Sequence, residues 1–474
     1  MSVQPAAYPT AAAADAPLQW HAPLPHRGEL TVLAAWWQQF DDPLLVQLIE
    51  AAQSASPTLA SAASRIEQAR ANRMASGAAL LPVLDASANA SRGRQEVASG
   101  LGSNASAGLQ AAWELDLFGG RRAARDAAQA RFTGAQAGWH DARVALAVET
   151  ATDYTGLRAC EVQLVQQRLD SVSRNETSRL TGLSTQAGFE SPANAALARA
   201  SAAQGHSLVT QRQAQCDLSV KGLVALTGVL EPVLRLQLAS RTARVPQPAS
   251  IAMPSVPAQV LAQRPDLAAA ELEVVAASAG VTQAQAARWP RITLNGSLGA
   301  ARFESSAFGP SSGTQWSIGP ITVSLPVFDG GTRRADVAAA RARFNEAGAA
   351  YRGRLRNAVR EVEEALVALQ STADRSDDAR VATEGFAASF RATEARFKGG
   401  LASLYELEDA RRSALQAEIA ASDLLRERAA AWISLYRALG GGWSADDPVL
   451  GGGLPAEPLR RGGWAISHTP VAAL

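Results

Sequence analysis

The sequence lacks the features that mark a nucleic-acid-binding protein or a helical membrane protein. Its charge is nearly balanced, with 45 Lys and Arg against 44 Asp and Glu, so there is no basic field to attract nucleic acid, which is not expected as a partner. Aromatic residues make up only 5% of the 474 residues, which favours long helices with small-residue contacts over a thick aromatic core. No run approaches the roughly 20 apolar residues of a membrane-spanning helix. Any membrane crossing must therefore use a closed β-barrel.

Motifs of catalysis and metal binding are also missing. The five histidines are scattered without metal-ligand spacing, and the sequence has no Cys-x-x-Cys pair. The glycine pairs at 119–120 and 330–331 each open a helical stretch after a strand-like one, but without the Gly-Lys-Ser/Thr ending of a phosphate loop. We therefore expect no enzyme activity, no cofactor and no bound metal.

One order of secondary structure is present twice. In the first half, two helical stretches broken near Ser56 precede a segment of alternating apolar and polar residues. A proline-free helical pattern of about 65 residues follows, about 100 Å long at 1.5 Å per residue, and then a further helical stretch. The second half repeats this order, and its alternation slips by one residue at Gly319, which predicts a β-bulge. An internal duplication is inferred from four pairs of residues that recur at a spacing of 210 or 212: Phe118 and Phe328, Glu149 and Glu361, Gly188 and Gly400, Gly228 and Gly440.

The pattern divides the chain into five parts. In order, they are an N-terminal extended segment at 1–35, a first repeat at 36–228 with a strand hairpin at 83–118 and a long helical hairpin at 120–228, a connector at 229–257, a second repeat at 258–443 with a strand hairpin at 291–328 and a long helical hairpin at 330–440, and a tail at 444–474. The tail is rich in Gly and Pro and is predicted to be disordered.

Each alternating segment has an apolar face and a polar face, and four such strands cannot close a barrel on their own. If they span a membrane, other copies of the chain must complete the barrel, and three copies would give twelve strands around a water-filled lumen. The predicted fold is thus mainly α, with a long coiled-coil tunnel and a small membrane β-barrel portion. The residues predicted to line the lumen are Asp85, Asn89, Gln110, Glu114 and Asp116. The residues predicted to face lipid are Trp113, Leu115, Ile292, Leu294 and Ile318.

The same pattern also fits a non-membrane coiled-coil scaffold, in which the alternating segments form an ordinary half-buried sheet. Residues 1–35 favour this alternative, because they show no basic start followed by an apolar core and hence no visible secretion signal. The two-faced hairpins oppose it. Periodicity alone leaves both interpretations open.

Five short segments carry a resemblance to a known family. They are, in order, WELDLFG at 113–119, RPDLAAAE at 264–271, PRITL at 290–294, LPVFDGG at 325–331 and ALGGGW at 438–443. Each segment is a weak motif alone, but the five occur in family order. The resemblance as a whole covers roughly residues 36–443. The chain closely resembles the outer-membrane factor (TolC-like) family, in particular the lipoprotein branch that serves tripartite efflux systems of Gram-negative bacteria.

The resemblance implies a homotrimeric, passive duct for small-molecule export. It implies a twelve-stranded barrel surrounded by outer-membrane lipid, a helical tunnel in the periplasm, and localisation to the cell outer membrane. The implied partners are a periplasmic adaptor protein and an inner-membrane efflux pump. A duct of the same fold that exports a protein is the alternative.

The resemblance also implies a gate at the periplasmic end of the tunnel, formed by a ring of carboxylates and a hydrophobic ring. The matching stretch, 404–412, places Asp409 at the carboxylate position and Tyr405 at a position that is usually leucine. Three copies of Asp409 near an axis would repel one another or bind a cation. A hydrogen bond or ion pair to Arg412 or Arg396 would then hold the closed state. The alternative is that Asp409 is one charge on a solvated helix face.

The cysteines depart from the family pattern. The lipoprotein branch carries an N-terminal cysteine for acylation, whereas the two cysteines here are Cys160 and Cys216, so the sequence does not support a lipid anchor. Both lie 28 residues from Gly188, one on each side, so an antiparallel hairpin would place them at the same level. Because nothing in the pattern fixes the rotation of the helices, two buried free thiols are favoured. The alternative is a disulfide, which would persist in an oxidising periplasm.

Overall fold

The computed structural model describes residues 33–93, 102–248, 263–305 and 309–443. The predicted extended N-terminal segment, except for residues 33–35, and the predicted disordered tail lie outside the described residues. The strands are β1 (Val83–Gly93), β2 (Gly102–Leu115), β3 (Arg291–Ser305) and β4 (Gly309–Ser324). The α-helices are α1 (Pro43–Ala55), α2 (Pro57–Ala78), α3 (Gly120–Gln186), α4 (Pro192–Thr227), α5 (Glu231–Ala239), α6 (Pro265–Ala286), α7 (Thr332–Lys398) and α8 (Leu404–Ala438).

Side-chain caps define where the first two helices begin. The Asp42 carboxylate accepts a hydrogen bond from the backbone N–H of Leu44 (3.1 Å) at the start of α1. The Ser56 hydroxyl accepts one from the backbone N–H of Leu59 (3.3 Å) at the start of α2. Each cap is followed by a proline at the first helical position, where the missing N–H costs nothing. The break predicted near Ser56 is confirmed.

Two helices of 67 residues each, α3 and α7, are the longest elements. Each extends about 100 Å at 1.5 Å per residue, and each turns back into a shorter partner, α4 or α8, packed against it. The internal duplication is therefore visible as two helical hairpins of the same design. No described helix is by itself both long and apolar enough to cross a membrane; α4 and α5 have that length and composition only together, across a bend of 115°.

The four strands form one antiparallel sheet in the order β1-β2-β3-β4. β2 of the first repeat pairs with β3 of the second, and the described residues of β1 and β4 have no partner strand on their outer sides. β2 and β4 end at Leu115 and Ser324, earlier than the predicted 118 and 328. At the end of β2, Asp116 accepts hydrogen bonds from backbone N–H groups at the start of α3 instead of extending the strand. After β4, Pro326 has no backbone N–H to donate to a neighbouring strand.

The largest core lies where the two repeats meet, next to a 3-10 helix at Leu33–Phe40. Trp36 packs edge-on against Trp432 of α8, with ring centroids 6.1 Å apart, and Trp37 lies 4.6 Å from Tyr436. The expectation of thin, small-residue contacts therefore fails here, because this one core buries six aromatic side chains: Trp36, Trp37, Phe40, Tyr154, Trp432 and Tyr436. Rings packed in this way add stability beyond the area they bury.

Part of the predicted connector is helical and belongs to this core. α5 buries Leu234 and Leu238 against it. The fully buried guanidinium of Arg158 on α3 donates hydrogen bonds to the Leu238 carbonyl oxygen (3.0 Å) and to the Glu161 carboxylate (2.8 Å). α5 is thereby fixed to the middle of the long helix α3.

The two cysteines form a disulfide, so the expectation of two free thiols was wrong. Cys160 on α3 and Cys216 on α4 are both buried in the seam between the two helices, with their Cα atoms 5.7 Å apart. Because both lie 28 residues from Gly188 at the turn, they stand at the same position along the hairpin, as the sequence indicated. The deciding factor was the rotation of the helices, which turns both side chains into the same seam.

Candidate gate, latch and channel-lining faces

One face of the sheet collects apolar side chains from β2, β3 and β4. Trp113 lies opposite Leu294, and Leu294 lies opposite Ile321. Leu115 lies opposite Ile292 in the same register. Directly opposed residues project from the same face of a sheet. Four of the five residues predicted to face lipid therefore form one continuous apolar patch.

The fifth, Ile318, lies on the same face because of a β-bulge. The register between β3 and β4 shifts, so that Leu294 pairs with Ile321 and Gly296 pairs with Ile318. The extra residue falls at Gly319, where the sequence predicted it, and the bulge is confirmed. Without it, Ile318 and Ile321, three residues apart, would point to opposite faces.

The other face of the sheet is polar. Asp85 of β1 lies opposite Gln110 of β2, and Gln110 lies opposite Ser297 of β3. Asn89 lies opposite Ser106. Glu114 of β2, which lies opposite Thr293 and four residues from Gln110, projects from the same face. Four of the five residues predicted to line the lumen therefore share one face, alongside polar residues from neighbouring strands.

Two of the five, Glu114 and Asp116, lie where the sheet meets the helices. Glu114 is ion-paired with Arg121 at the start of α3 (2.6 Å). The Asp116 carboxylate lies beyond the end of the strand and accepts hydrogen bonds from the backbone N–H groups of Arg121 (3.0 Å) and Arg122 (2.9 Å). Placing Asp116 in the strand was therefore wrong. It caps a helix N-terminus, where the backbone N–H groups favour a negative charge.

Three of the predicted gate residues lie on one exposed face of α8. Tyr405, Asp409 and Arg412 are spaced four and three residues apart, which places them side by side on a helix. The Arg412 guanidinium donates a hydrogen bond to the Asp409 carboxylate, and both side chains are more than half exposed. An exposed pair of this kind contributes at most about 1 kcal/mol. It is therefore weak enough to rearrange.

The fourth predicted gate residue, Arg396, does not pair with Asp409. Its guanidinium donates a hydrogen bond to the Leu401 carbonyl oxygen (3.0 Å) and lies 3.8 Å from the Glu406 carboxylate. Glu406 forms a capping box with Ser403, and the hydrogen bonds from the backbone and side chain of Ser403 lower the pKa of Glu406. Arg396 thus stabilises the turn between α7 and α8, and of the two predicted arginines Arg412 is the partner of Asp409.

A buried cluster of charges on the opposite side of α8 was missed by the sequence analysis. It consists of Asp170 and Arg174 of α3 and Glu408 and Arg411 of α8, and is called the latch cluster below. Arg174 donates hydrogen bonds to Asp170 (2.7 Å) and Glu408 (3.2 Å), and Arg411 donates one to Glu408. Two cations and two anions balance one another there, as buried charges must.

The latch cluster joins the two helical hairpins. Arg411 also donates hydrogen bonds to the hydroxyls of Ser173 (3.0 Å) and Thr177 (2.9 Å) on α3, while Glu408 accepts one from Ser201 on α4 (2.8 Å). Burial has the largest influence on Arg411 and lowers its pKa. The beginning of α8 is therefore held against α3 and α4 by polar contacts, directly behind the face that carries Asp409.

The two helical hairpins end in matching turns. In each turn a glycine, Gly188 or Gly400, precedes an apolar residue, Phe189 or Leu401, whose backbone N–H donates a hydrogen bond to a carbonyl of the preceding helix (2.8 Å in both). The side chains of Phe189 and Leu401 are 87% and 73% exposed. Each turn thus presents one large apolar side chain to solvent about 100 Å from the sheet.

The sequence matches the model of one protein family, described as outer membrane efflux protein, over residues 48–229 and 256–441. These ranges cover most of the chain. The chain belongs to the outer membrane efflux protein family. The two matched ranges span the two copies of the hairpin-and-helix unit, and both include the long helices that lead to the turns at Gly188 and Gly400.

Relatives of this outer membrane efflux protein are known by sequence and by structure. It is 32% identical to the pyoverdine export outer membrane protein OpmQ of Pseudomonas putida, covering 91% of this chain and 93% of the relative. It is 28% identical to the cation efflux system protein CusC of Escherichia coli, covering 86% and 88%. The outer-membrane channel OprN has the same fold, with a TM-score of 0.77 at 28% identity and coverage of 93% and 97%.

Membership of the family establishes the broad role of the molecule. This efflux protein is an outer-membrane channel component of an efflux system, with the helical tunnel in the periplasm. The family is one of channels rather than enzymes. The non-membrane scaffold, which residues 1–35 favoured, is therefore wrong, and the two-faced strands were the better indicator.

Proposed function

We propose that three copies of this efflux protein form a passive duct through which an inner-membrane pump, linked by a periplasmic adaptor, exports small molecules. The observation that carries the proposal is the four-stranded sheet, which has one apolar and one polar face and, among the described residues, two outer edges without a partner strand. Unpaired edges are not tolerated in hydrocarbon. Two further copies would pair both edges, turn the polar face with Asp85, Asn89 and Gln110 inward, and leave Trp113 and Ile318 against lipid.

The test of this assembly is fractionation of cells that express the protein from its native locus. The expected result is a species in the outer-membrane fraction that runs as a trimer on an unheated gel and as a monomer after heating. A monomer under both conditions would overturn the proposed duct. Light scattering on the detergent-solubilised protein measures the same mass without the gel.

Small molecules are the proposed cargo. Relatives that match this chain at 32% and 28% identity are named for pyoverdine export and for cation efflux, two chemically different cargoes. A duct fold that serves both does not by itself select one, so we assign the choice of cargo to the pump. Neither relative is named for protein export, which leaves the protein-secretion alternative without a supporting observation.

The proposed gate is the exposed face of α8 that carries Tyr405 and Asp409. Around a threefold axis, three Asp409 carboxylates would face one another, and their repulsion would be offset by Arg412 of the same chain, which already bonds to Asp409. The three Tyr405 rings, one helical turn away, would narrow the same opening. Closing the duct in this way relies on weak, exposed contacts that an engaged adaptor can replace.

Replacing both gate side chains, Asp409→Ala with Tyr405→Ala, is expected to raise single-channel conductance in planar bilayers several-fold. The reason is that both the charge and the bulk at the opening are removed. The control is Asp377→Ala, which removes an exposed carboxylate from α7 and should leave conductance unchanged. Equal conductance of the gate variant and the wild type would remove Tyr405 and Asp409 from the gate.

The two turns at the far end of the helices are the proposed adaptor contact. Phe189 and Leu401 expose apolar side chains that a partner would cover. Phe189→Asp with Leu401→Asp is expected to abolish formaldehyde cross-linking of a tagged chain to its periplasmic adaptor in cells, as identified by mass spectrometry, while the trimer remains. Leu236→Asp, at an exposed position on α5, is the control. Equal cross-linking of the adaptor to the wild type, to the double variant and to Leu236→Asp would contradict this contact.

A further inference from the structure

A pair of stacked rings joins the two repeats where the sheet meets the helices. The ring of Phe118, just after β2, stacks on the ring of Trp289, just before β3, with centroids 5.4 Å apart and planes 12° from parallel. β2 and β3 are the two strands through which the first repeat pairs with the second. The contact therefore lies at the seam between the repeats.

The duplication gives Trp289 an equivalent residue, Leu81. Each comes two residues after the C-cap residue of a helix and is followed by a proline at the start of a strand. The backbone N–H of Leu81 donates a hydrogen bond to the carbonyl oxygen of Ala78 (2.9 Å), and that of Trp289 donates one to Ala286 (3.1 Å). The same turn thus presents a leucine in the first repeat and a tryptophan in the second.

Matching arginines confirm that the two junctions are built alike. Arg121, at the start of α3, donates a hydrogen bond to the carbonyl oxygen of Ala79, the C-cap residue of α2. Arg333, at the start of α7, donates one to Ala287, the C-cap residue of α6. In each repeat the helix that follows the hairpin is therefore fixed to the helix that precedes it.

The equivalent of Phe118 is Phe328, which occupies the corresponding place after β4. Phe328 is 92% exposed and Leu81 is 64% exposed. They cannot meet within one chain, because Phe328 follows β4 and Leu81 precedes β1, at the two opposite outer edges of the sheet. Phe328 therefore lacks, within one chain, the partner that Phe118 has in Trp289, and Leu81 lacks the partner that Trp289 has in Phe118.

We propose that Phe328 of one copy packs on Leu81 of the next copy and closes the seam between protomers as Phe118 and Trp289 close the seam between repeats. The proposal rests on the trimer of the proposed function, in which β4 of one copy pairs with β1 of the next. Burying the Phe328 ring removes from water one of the most exposed apolar side chains among the residues that the structure describes. Three such contacts would form a ring at the junction of barrel and tunnel.

Cysteine cross-linking tests the contact directly. Both native cysteines are held in a disulfide, so the variant Leu81→Cys with Phe328→Cys adds the free thiols that an oxidant such as copper phenanthroline or a short bismaleimide can join. Most of the protein is expected to run as covalent dimers and trimers on a boiled, non-reducing gel after treatment of outer-membrane vesicles. The matched control is Phe118→Cys with Trp289→Cys, which should cross-link within the chain and stay monomeric.

A second gel separates this proposal from the one on which it rests. Without heating or cross-linker, the trimer itself is visible. If the trimer is present and neither reagent joins the thiol introduced at position 81 of one copy to the thiol introduced at position 328 of another, the contact is overturned while the duct stands. If the wild type forms no trimer, the proposed function fails first.

Thermal dissociation keeps the proposal testable if the cysteine variant assembles poorly. Phe328→Ala is expected to lower the temperature at which the trimer dissociates by several degrees, because an apolar contact is lost at each seam. Phe189→Ala removes an almost equally exposed ring from a turn far from the sheet and should leave that temperature unchanged. Equal dissociation temperatures for the two variants would overturn the contact.

Discussion

Arg411→Met is expected to raise the conductance of the channel and to destabilise the protein by about 3 kcal/mol. The substitution keeps an unbranched, flexible stem but removes a buried cation from the latch cluster. Glu408 then loses its bond from Arg411, and the hydroxyls of Ser173 and Thr177 lose their donor. Removing one partner from a buried ion pair typically costs about 3–5 kcal/mol, because the remaining charge stays out of water. Arg174 still bonds to Glu408, so the lower end of that range applies.

The effect on conductance follows from where the latch cluster lies. It holds the beginning of α8 against α3, and the same turns of α8 carry Tyr405 and Asp409 on the other side. Loosening the buried contacts frees the helix that bears the proposed gate. The readouts are single-channel conductance in planar bilayers and the free energy of unfolding in detergent, followed by helical circular dichroism.

Two further variants show whether charge balance is the cause. Arg380→Met removes an exposed arginine from α7 and is expected to change stability by less than about 1 kcal/mol. Arg411→Met with Glu408→Met removes a cation and an anion together and leaves Arg174 paired with Asp170. This double variant should regain much of the lost stability, since replacing a whole buried pair by apolar residues is often neutral. A single variant as stable as Arg380→Met would contradict the assigned role of Arg411.

The features that the sequence predicted well are those that depend on local spacing. Pro57 and the Ser56 cap define the break between α1 and α2, because a proline starts a helix but cannot lie inside one. The two-residue period gave the apolar patch of Trp113 and Leu294. The slip at Gly319 was readable because a single inserted residue reverses the faces of everything beyond it.

The features that were missed depend on how one helix is rotated against another. The disulfide between Cys160 and Cys216 needed both side chains in the same seam, and sequence spacing fixed only their level. The latch cluster was missed for the same reason. Arg411 follows Leu404 and Leu407 at helical spacing on the buried side of α8, so a charge in an apolar seam was the available signal. Its partners on α3, in the other repeat, could not be named from periodicity.

The aromatic core was missed for a different reason. The composition of the whole chain is low in aromatic residues, and an average says nothing about where they meet. Trp36 and Trp432 lie near opposite ends of the sequence and share a contact because the two repeats close on each other at this level. The predicted end of β2 was wrong for a local reason. Asp116 continues the apolar–polar alternation in the sequence, but its carboxylate accepts a hydrogen bond from the backbone N–H of Arg121 at the start of α3.

Gly440→Ala is expected to prevent stable folding of the protein. Gly440 follows α8 with φ of +81°, in the left-handed region, which costs a residue with a Cβ about 1–2 kcal/mol. An added Cβ would lie 2.2 Å from the Gln263 carbonyl oxygen and 2.8 Å from the Cα atom of Arg264. That backbone cannot easily retreat, because the Arg264 guanidinium is bonded to Asp266 (2.8 Å) and to the carbonyl oxygen of Ala438 (3.1 Å).

The duplication supplies the control that separates strain from crowding. Gly228, the equivalent residue after α4, has φ of +67°, but its added Cβ would meet only the Cβ of Ala55 at 3.2 Å. Gly228→Ala should therefore show mainly the cost of the left-handed backbone, about 1–2 kcal/mol. Gly385→Ala, inside α7 with open space around it, should stabilise the helix by up to about 1 kcal/mol.

The relative stability of the three variants is measured by thermal unfolding in detergent and by the amount of protein in the outer membrane. We expect Gly385→Ala to be the most stable, Gly228→Ala to be intermediate, and Gly440→Ala to be depleted from the membrane. If Gly440→Ala and Gly228→Ala are equally stable, the close approach between the end of α8 and the start of α6 does not hold the two ends of the second repeat together. A backbone shift that the hydrogen bonds of Arg264 permit would then relieve the clash between the added Cβ at position 440 and the Gln263 carbonyl oxygen.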